Sequence, residues 1–331
     1  MTRAEGALLG LAVGDALGTT LEFSAPAAPP FPALARGPHD DIVGGGPFRV
    51  APGQVTDDTQ LAACLATSLR ERGGFDAADA ARRYVAWRPH AFDIGRTTLE
   101  AIELLAAGRL DAGRAVWDRS GGRAAANGSL MRTAPIGVFF AADAASRRAA
   151  ALADSALTHF DPRCRMACAA FDAAVAEGVR GGTAAAMAEA AWEELDAAAE
   201  HCADDGTPRD AVAAAVRALR DDLRLARADD PDLYGEVHLH RHEGYVRVAF
   251  RLAFWELLHA PDLRAGLIDA VNRGGDADTN GAIAGALLGA RHGADGIPAS
   301  WRERVLGALA GDAGPLATLY HPRELLRLAA T

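Results

Sequence analysis

The stretch NRGGDADTNGAIAGALLGARHG, residues 272–293, combines a helical pattern of small apolar residues with acids at its start. Glycines recur every four residues in it, so they share one helix face and let a second backbone approach closely. Asp276, Asp278 and Thr279 precede this pattern, and a single acid or hydroxyl there is an ordinary helix cap. Two acids before a buried helix repel each other and lose hydration unless a cation compensates them. The stretch therefore predicts a central helix with a candidate functional site at its mouth.

Helical spacing of apolar residues extends over most of the chain, and runs that alternate with a period of two are nearly absent. A second glycine-spaced helix lies near the amino terminus, and residues 183–226 are acidic and alanine-rich, which indicates peripheral helices. The sequence therefore predicts an all-α fold. The spacing predicts helices over 4–18, 58–72, 76–88, 95–107, 128–141, 143–158, 162–179, 183–199, 208–226, 243–259, 262–272, 279–292, 298–311 and 322–329.

Composition limits the classes of function. The chain has 331 residues, half of them hydrophobic, and a formal net charge of −10, which argues against nucleic acid as a partner. We expect a single domain over 1–331. No signal sequence precedes the first helix, and no uninterrupted apolar run reaches the roughly 18 residues of a membrane span. We expect a cytoplasmic protein without membrane contact, in which four cysteines act as small buried apolar residues: Cys64, Cys164, Cys168 and Cys202.

A second acidic cluster offers a partner for the first. Thr56, Asp57, Asp58 and Thr59 stand just before an amphipathic helix, in the same arrangement as the cluster at Asp276–Thr279. Two such helix mouths that face each other would need cations between them. Carboxylate and hydroxyl oxygens without cysteine or histidine suit Mg²⁺ or Mn²⁺ rather than softer metals.

The longest irregular stretch, residues 24–55, is rich in proline and glycine and is predicted to be a loop. A loop of this length in a compact domain is commonly functional or mobile. Glu22 closes the first glycine-spaced helix directly before this loop and is a third acid near a helix end. Taken singly, it fits a solvated helix terminus; beside the two clusters it becomes a candidate for the same site.

Seven motifs extend over nearly the whole chain: GALLGLAVGDALGTTLEF at 6–23, GGGPFRVAPGQVTDDTQLA at 44–62, FDIGRTT at 92–98, NGSLMRTAPIG at 127–137, THFDPRC at 158–164, EGYVRVAFRLAFW at 243–255 and GGDADTNGAIAGALLGARHG at 274–293. In this order they resemble the ADP-ribosylglycohydrolase family, especially its bacterial branch of dinitrogenase reductase-activating glycohydrolase-like enzymes. The two acidic motifs are specific as a pair, whereas the others are individually weak and jointly strong.

The resemblance implies a compact multi-helix orthogonal bundle of the ADP-ribosylglycohydrolase type, with a central cleft that holds two divalent cations, Mg²⁺ or Mn²⁺. Asp278 is expected to bridge both ions, and Glu22 to lie near the metals or gate the site. Asp93 matches an acid that reaches the metals, although a helix N-cap is an equal alternative for it. By the same resemblance, the metal ligands are Thr56, Asp57, Asp58, Asp276, Asp278 and Thr279, and the candidate catalytic acids are Asp57, Asp58, Glu22 and Asp93.

The resemblance also implies a substrate loop in the NGSLMR motif, whose backbone amides and short side chains would bind a diphosphate. His159 would lie at the ribose, and Gly244 with Tyr245 would pack under the adenine. Taken alone, these residues fit an Asn-Gly turn, a structural histidine and a core tyrosine. The implied substrate-binding set is Asn127, Gly128, Ser129, Leu130, Met131, His159, Gly244 and Tyr245.

The implied reaction is hydrolysis of the N-glycosidic bond between ADP-ribose and an arginine side chain, by an ADP-ribosylarginine hydrolase-type glycosidase. An ADP-ribosylated protein would be the substrate and ADP-ribose the product, and we expect a monomer. Carboxylates suit the oxocarbenium-like transition state of such a cleavage. Three alternatives stay open: a hydrolase of serine-linked or O-acetyl ADP-ribose, a catalytically silent metal-dependent ADP-ribose binder, and a two-metal phosphohydrolase.

Overall fold

The computed structural model describes residues 2–330 as α-helices joined by turns and irregular loops. Within these residues no β-strand forms, and extended segments pair only through isolated bridges. The all-α prediction is confirmed. The helices are α1 (Arg3–Gly18), α2 (Asp57–Arg72), α3 (Ala77–Trp87), α4 (Arg96–Ala106), α5 (Ala112–Arg119), α6 (Ala134–Phe139), α7 (Ala144–Thr158), α8 (Pro162–Val179), α9 (Ala184–Asp204), α10 (Arg209–Ala226), α11 (Val246–His259), α12 (Leu263–Asn272), α13 (Ala277–His292), α14 (Ala299–Gly307), α15 (Pro315–Thr318) and α16 (Arg323–Ala329).

The two glycine-spaced helices, α1 and α13, pack antiparallel along each other at the centre of the molecule. Both are apolar around almost their whole circumference, as expected for helices buried on all sides. A Cβ on Gly14 would lie 1.9 Å from the carbonyl oxygen of Gly281, so only glycine permits this approach. At the end of α1, Gly18 lies against Ala277. The antiparallel contact therefore brings Glu22, four residues beyond α1, to the mouth of α13.

The remaining helices form layers around this pair. α8, α11 and α12 pack against α13, and α2, α6 and α14 contact α1. α9 and α10 bury one face each, against α8 and α11, and leave the other face to solvent. The prediction that residues 183–226 are peripheral is confirmed. Among residues 2–330, no helix is both long and apolar enough to span a bilayer.

The irregular segment 24–55 is fixed by buried polar groups at the end of α12. The Asn272 side chain donates to the His39 carbonyl oxygen (2.6 Å) and accepts from the His39 backbone N–H (3.0 Å). The Arg273 guanidinium donates to the carbonyl oxygens of Pro29 (2.5 Å) and Ala33 (2.8 Å). The predicted loop is confirmed as irregular, and these bonds satisfy part of its backbone in place of a regular element.

Parts of the helix prediction are wrong. The pattern predicts a helix over 128–141, but only Ala134–Phe139 is helical and residues 128–133 form turns. Pro135 explains this, because proline has no N–H for an intrahelical bond and its ring excludes a preceding helical turn. Two short helices were not predicted, α5 (Ala112–Arg119) and α15 (Pro315–Thr318). Helices of eight and four residues give too little periodicity to stand out from the surrounding sequence.

Candidate metal centre and substrate cleft

A cleft of about 410 Å³ opens where the starts of α2 and α13 meet the segment that follows α1. One wall carries carboxylates, and the facing wall is formed mainly by neutral residues of the NGSLMR turn and of the segments near it, with Arg96 and Glu243 where the cleft meets an adjoining cavity. The acidic wall includes Glu22, Asp57, Asp93, Asp276 and Asp278; the other wall includes Thr98, Asn127, Gly128, Met131 and His159. The two acidic motifs, distant in sequence, therefore line one cleft, as the sequence predicted.

The carboxylates are arranged in two overlapping sets. In the first, Glu22, Asp276 and Asp278 each offer an oxygen, and these oxygens lie within 4.8 Å of one another. In the second, the Thr56 hydroxyl lies 3.0 Å from Asp58 Oδ2 and 3.3 Å from Asp278 Oδ2. Asp278 belongs to both sets. This is the position that a residue bridging two cations would occupy.

Helix capping does not account for these side chains. Thr56 and Asp276 occupy the N-cap positions of α2 and α13, yet neither side chain makes a capping hydrogen bond. Asp276 Oδ2 instead accepts from the Asn127 side-chain amide (2.7 Å), across the cleft. The N-cap alternative for Asp93 is wrong, because Gly95 is the N-cap of α4. These side chains are directed toward the cleft or toward each other.

Burial and mutual repulsion raise the pKa values of the carboxyl groups along the acidic wall. Burial, and then the charges of Asp93 and Asp276, raise the pKa of Glu22 to about 9. Burial and neighbouring carboxylates raise the pKa of Asp93 to about 7, and that of Asp278 well above its usual range. Glu22 Oε2 and Asp58 Oδ1 are buried without a hydrogen-bond partner. Such groups lower their free energy either by taking up protons or by binding cations.

Within residues 2–330, no arginine or histidine forms an ion pair with these carboxylates, whereas three other buried acids, Asp154, Asp222 and Asp269, have arginine partners. The donor set consists of carboxylate and hydroxyl oxygens, with unpartnered oxygens on Glu22 and Asp58. Hard divalent cations prefer such oxygens. The residues present therefore fit the metal ions that the family resemblance implies.

Asp15, which the sequence analysis did not select, supports the start of α2. It is fully buried in α1 and accepts from the Thr56 N–H (3.0 Å), the Thr56 hydroxyl (3.0 Å) and the Thr59 N–H (3.2 Å). The Thr59 hydroxyl donates to it as well. Burial raises its pKa to about 6, against the effect of these hydrogen bonds. The acid of the otherwise apolar run 6–18 was the sequence signal that marks Asp15 as unusual.

The neutral wall is held in shape by a buried arginine. Arg132 donates to the Gly128 carbonyl oxygen (3.0 Å), to Asp154 Oδ2 (3.1 Å) and to the Thr158 hydroxyl (2.9 Å). A Cβ on Gly128 would lie 2.8 Å from Thr98 Oγ1 and 2.9 Å from the His159 ring. Glycine is therefore required where the turn passes these side chains.

His159 presents an unpartnered nitrogen within this wall. Its Nδ1 lies 2.8 Å from the Thr158 hydroxyl, while its Nε2 is buried without a partner. Burial, followed by the charge of Arg132, lowers the pKa of His159 to about 3, so the ring is neutral. The Thr158 hydroxyl oxygen accepts a hydrogen bond from Arg132, so the hydroxyl hydrogen of Thr158 is free to point at His159 Nδ1. We assign the proton of His159 to Nε2, where it can be donated to a ligand oxygen.

The side chains of two predicted substrate-binding residues do not line the cleft. Ser129 is fully buried, and its hydroxyl accepts from Ser155 (2.9 Å). Leu130 is also fully buried, in the hydrophobic core. Three other residues of the predicted set, Asn127, Gly128 and Met131, line the cleft.

A second cavity, of about 770 Å³, adjoins the cleft and shares Arg96, Thr97, Ala126, Glu243 and Gly244 with it. Tyr245 lines this chamber, where Arg163 donates to its hydroxyl (3.2 Å) and lies 5.7 Å from the ring centre. The Asp161 carboxylate in turn holds Arg163 (2.7 Å). Gly244 and Tyr245 thus extend the cleft into a space with an oriented aromatic ring.

Comparisons with known proteins are consistent with this geometry. The family model for ADP-ribosylglycohydrolase matches residues 1–328. An ADP-ribosylarginine hydrolase Tri1 of Pseudomonas putida (strain GB-1) is 33% identical over 314 residues, covering 92% of this chain and 74% of the relative. An ADP-ribosyl-dinitrogen reductase glycohydrolase of Rhodospirillum rubrum is 29% identical over 304 residues, covering 92% and 90%. A solved ADP-ribosylglycohydrolase-related protein complex aligns with a TM-score of 0.70 at 31% identity, covering 99% of this chain and 98% of that one.

Proposed function

The chain belongs to the ADP-ribosylglycohydrolase family, in its bacterial dinitrogenase reductase-activating glycohydrolase-like branch, and on this premise we propose that it releases ADP-ribose from arginine side chains of proteins. The observation that carries the proposal is the buried carboxylate cluster, without a basic partner, facing the NGSLMR turn. The similarity to an ADP-ribosylarginine hydrolase supports arginine as the acceptor. Hydrolysis of the N-glycosidic bond is the corresponding reaction.

Two divalent cations, Mg²⁺ or Mn²⁺, are the proposed cofactors. Thr56, Asp58 and Asp278 would hold one, and Glu22, Asp276 and Asp278 the other, consistent with the two oxygen sets. Asp57 and Thr279 line the same cleft and complete the donor set. A bound divalent cation there supplies Lewis acidity, which orients sugar hydroxyls and lowers the pKa of water.

The acidic wall stabilises the charge that develops during cleavage. The bond between the anomeric carbon and the guanidine nitrogen breaks through an oxocarbenium-like state, which nearby carboxylates stabilise. Asp93, on the loop before α4, would give a proton to the departing guanidine nitrogen, because its raised pKa lets it hold one. Burial and neighbouring acids also raise the pKa of Asp57, but cations held by the cleft would keep its carboxyl ionised, and it would then take the proton from the attacking water, whose oxygen joins the anomeric carbon. The products are ADP-ribose and an unmodified arginine.

The neutral wall and the chamber bind the ADP half in this proposal. Asn127 and Gly128 face the cleft, and His159 donates from Nε2 to a ribose or phosphate oxygen. Tyr245 offers its ring to the adenine in the chamber. A cytoplasmic location is proposed, since the four cysteines are free and buried, as is usual in reducing compartments.

Release of ADP-ribose from an arginine-ADP-ribosylated protein tests this function. We expect release with Mg²⁺ or Mn²⁺, none with EDTA, and none from the Asp278→Ala variant. Asp143→Asn is the matched control, because Asp143 caps α7 far from the cleft. AMP in place of ADP-ribose would indicate a phosphohydrolase. ADP-ribose binding without release from arginine-, serine- or O-acetyl-linked substrates, by folded and metal-loaded protein, would identify a silent binder.

A further inference from the structure

Phe23 combines two unusual features at the rim of the cleft. Its φ is +57°, in the left-handed region that non-glycine residues rarely adopt, and its side chain is 58% exposed. A large apolar side chain in a strained backbone persists only where the surrounding structure enforces it, and such residues concentrate at functional sites. The exposed Phe23 side chain does not belong to the hydrophobic core, so contact with a ligand accounts for these two features better than core packing does.

Hydrogen bonds to the α13 mouth hold Phe23 in this conformation. The Phe23 N–H donates to the Gly275 carbonyl oxygen (2.7 Å), and the Gly275 N–H donates to the Ser24 carbonyl oxygen (2.8 Å). Phe23 directly follows Glu22, and Gly275 directly precedes Asp276, so the bridge locks the two carboxylates and the aromatic ring into one unit. The bridge thereby fixes the backbone of Phe23 beside the acidic wall, and its side chain lines the cleft.

The position of Phe23 along the cleft indicates which half of a bound substrate would lie near it. Phe23 lines the cleft but not the adjoining chamber, which is reached past Gly244 and contains Tyr245. If the ADP half extends into the chamber, the group attached to the distal ribose lies toward the acidic wall and Phe23. The acceptor side chain is therefore the part of the substrate nearest this ring.

We propose that Phe23 stacks on the guanidinium group of the modified arginine and selects for this acceptor; the inference rests on the function proposed above. A planar cation is attracted to an aromatic face, and arginine is the side chain that makes this contact most often. Phe23 and Glu22 line the same cleft, so the ring stands at the acidic end, where the acceptor group would lie. A serine acceptor has neither a positive charge nor a planar face to offer the ring.

Kinetics on two arginine-linked substrates test this contact. ADP-ribosyl-arginine as a small molecule lacks a polypeptide, and an ADP-ribosylated protein supplies one. We expect Phe23→Ala and Phe23→Leu to lower kcat/KM on both substrates about 3- to 20-fold, the range of a cation–π contact. Phe23→Tyr keeps an aromatic face and is expected to stay within about twofold of the wild type.

Two controls separate this contact from general damage. Free ADP-ribose has no acceptor group, so its Kd measured by calorimetry should be the same for Phe23→Ala and the wild type. Val43→Ala removes an exposed apolar side chain that does not line the cleft and should change neither measurement.

The outcomes are distinguishable. Unchanged kcat/KM in Phe23→Ala overturns the contact, and so does weaker ADP-ribose binding, which would mean a disturbed cleft. A loss on the protein alone overturns it in favour of a contact with the polypeptide, and full activity of Phe23→Leu shows that aromaticity is not needed. A wild-type enzyme inactive on both arginine-linked substrates would refute the proposed function itself.

Discussion

Buried acids in two regions of this molecule have opposite surroundings. In the helical core, Asp222 pairs with Arg247 (2.8 Å) and Arg251 (2.7 Å), and Asp269 pairs with Arg273 (3.0 Å). In the cleft, equally buried acids such as Asp278 lie among other acids and hydroxyls, and no arginine of the described residues 2–330 forms an ion pair with them. The chain thus supplies its own cations for the core. The difference indicates that the cleft is built to receive cations from outside.

Glu256 shows how a buried carboxyl group behaves when no arginine forms an ion pair with it. Glu256 is fully buried, and neither of its carboxyl oxygens has a hydrogen-bond partner. Burial, followed by the charge of Asp269, raises the pKa of Glu256 well above its usual range, so it stays protonated. A single carboxyl can remain neutral in this way. The clustered cleft acids share this tendency in the metal-free protein, and cations would reverse it.

The largest expected effect comes from removing the acid that pairs with two arginines in the helical core. Replacing Asp222 by Ala leaves two buried guanidinium groups without their carboxylate, so we expect a loss of about 3–5 kcal/mol in the free energy of unfolding. Asp278→Ala removes one of several repelling acids, so in EDTA we expect no loss of stability. Urea unfolding of both variants measures the difference. Equal destabilisation would mean that the cleft acids are structural.

Cation binding should stabilise the fold through the cleft alone. At a Mn²⁺ concentration of about 100 Kd, we expect roughly 2.7 kcal/mol of added stability per bound ion in the wild type. Asp278→Asn should lose most of this increment, because the residue lies in both oxygen sets. Asp262→Asn, at the start of α12, should keep it. Thermal unfolding with and without Mn²⁺ provides the measurement, and an increment that survives Asp278→Asn would locate the ions elsewhere.

The pH dependence of stability should also differ between the metal-free and the metal-bound protein. The folded pKa of Asp93 (about 7) and that of Asp15 (about 6) lie above the ordinary carboxyl value of 3.8. The folded protein therefore binds more protons than the unfolded chain between about pH 4 and 7. In EDTA, stability is highest below this window and falls as pH rises through it. With saturating Mn²⁺ this fall should disappear; a profile that is flat in EDTA would contradict it.

The smallest expected effect concerns the support of α2. Thr59→Val keeps the side-chain shape but removes one hydroxyl donor to Asp15, which retains the bonds from Thr56. We expect a loss of about 1 kcal/mol in stability and a kcat reduced up to about tenfold, with KM little changed. Thr318→Val, whose hydroxyl bonds only the Gly314 carbonyl oxygen, is the control. If both variants behave alike, Asp15 does not position the metal ligands.

Local patterns were sufficient to predict part of this structure. The glycine spacing near residues 6–18 and 281–289 identified the central helix pair, because close approach depends on residues of one face. The paired acidic motifs identified the cleft, because acids at two helix mouths need a common counterion. Both signals are contained within a few consecutive residues.

Long-range contacts explain what the sequence did not reveal. Asp15 is recognisable as a support only through Thr56 and Thr59, which lie on another helix. The orientation of Ser129 depends on its contact with Ser155 in α7. The conformation of Phe23 is set by Gly275 across the cleft mouth. None of these partners is adjacent in sequence, so propensity and spacing carry no information about them.

Calorimetric titration of the metal-free protein with Mn²⁺ tests the central claim most directly. We predict saturable binding of two ions per wild-type chain, loss of the second ion or of both in Asp278→Asn, and unchanged binding in Asp262→Asn. This result would assign the cations to the shared carboxylate of the cleft. Absence of saturable binding in the folded wild type, or identical binding in Asp278→Asn, would contradict the account.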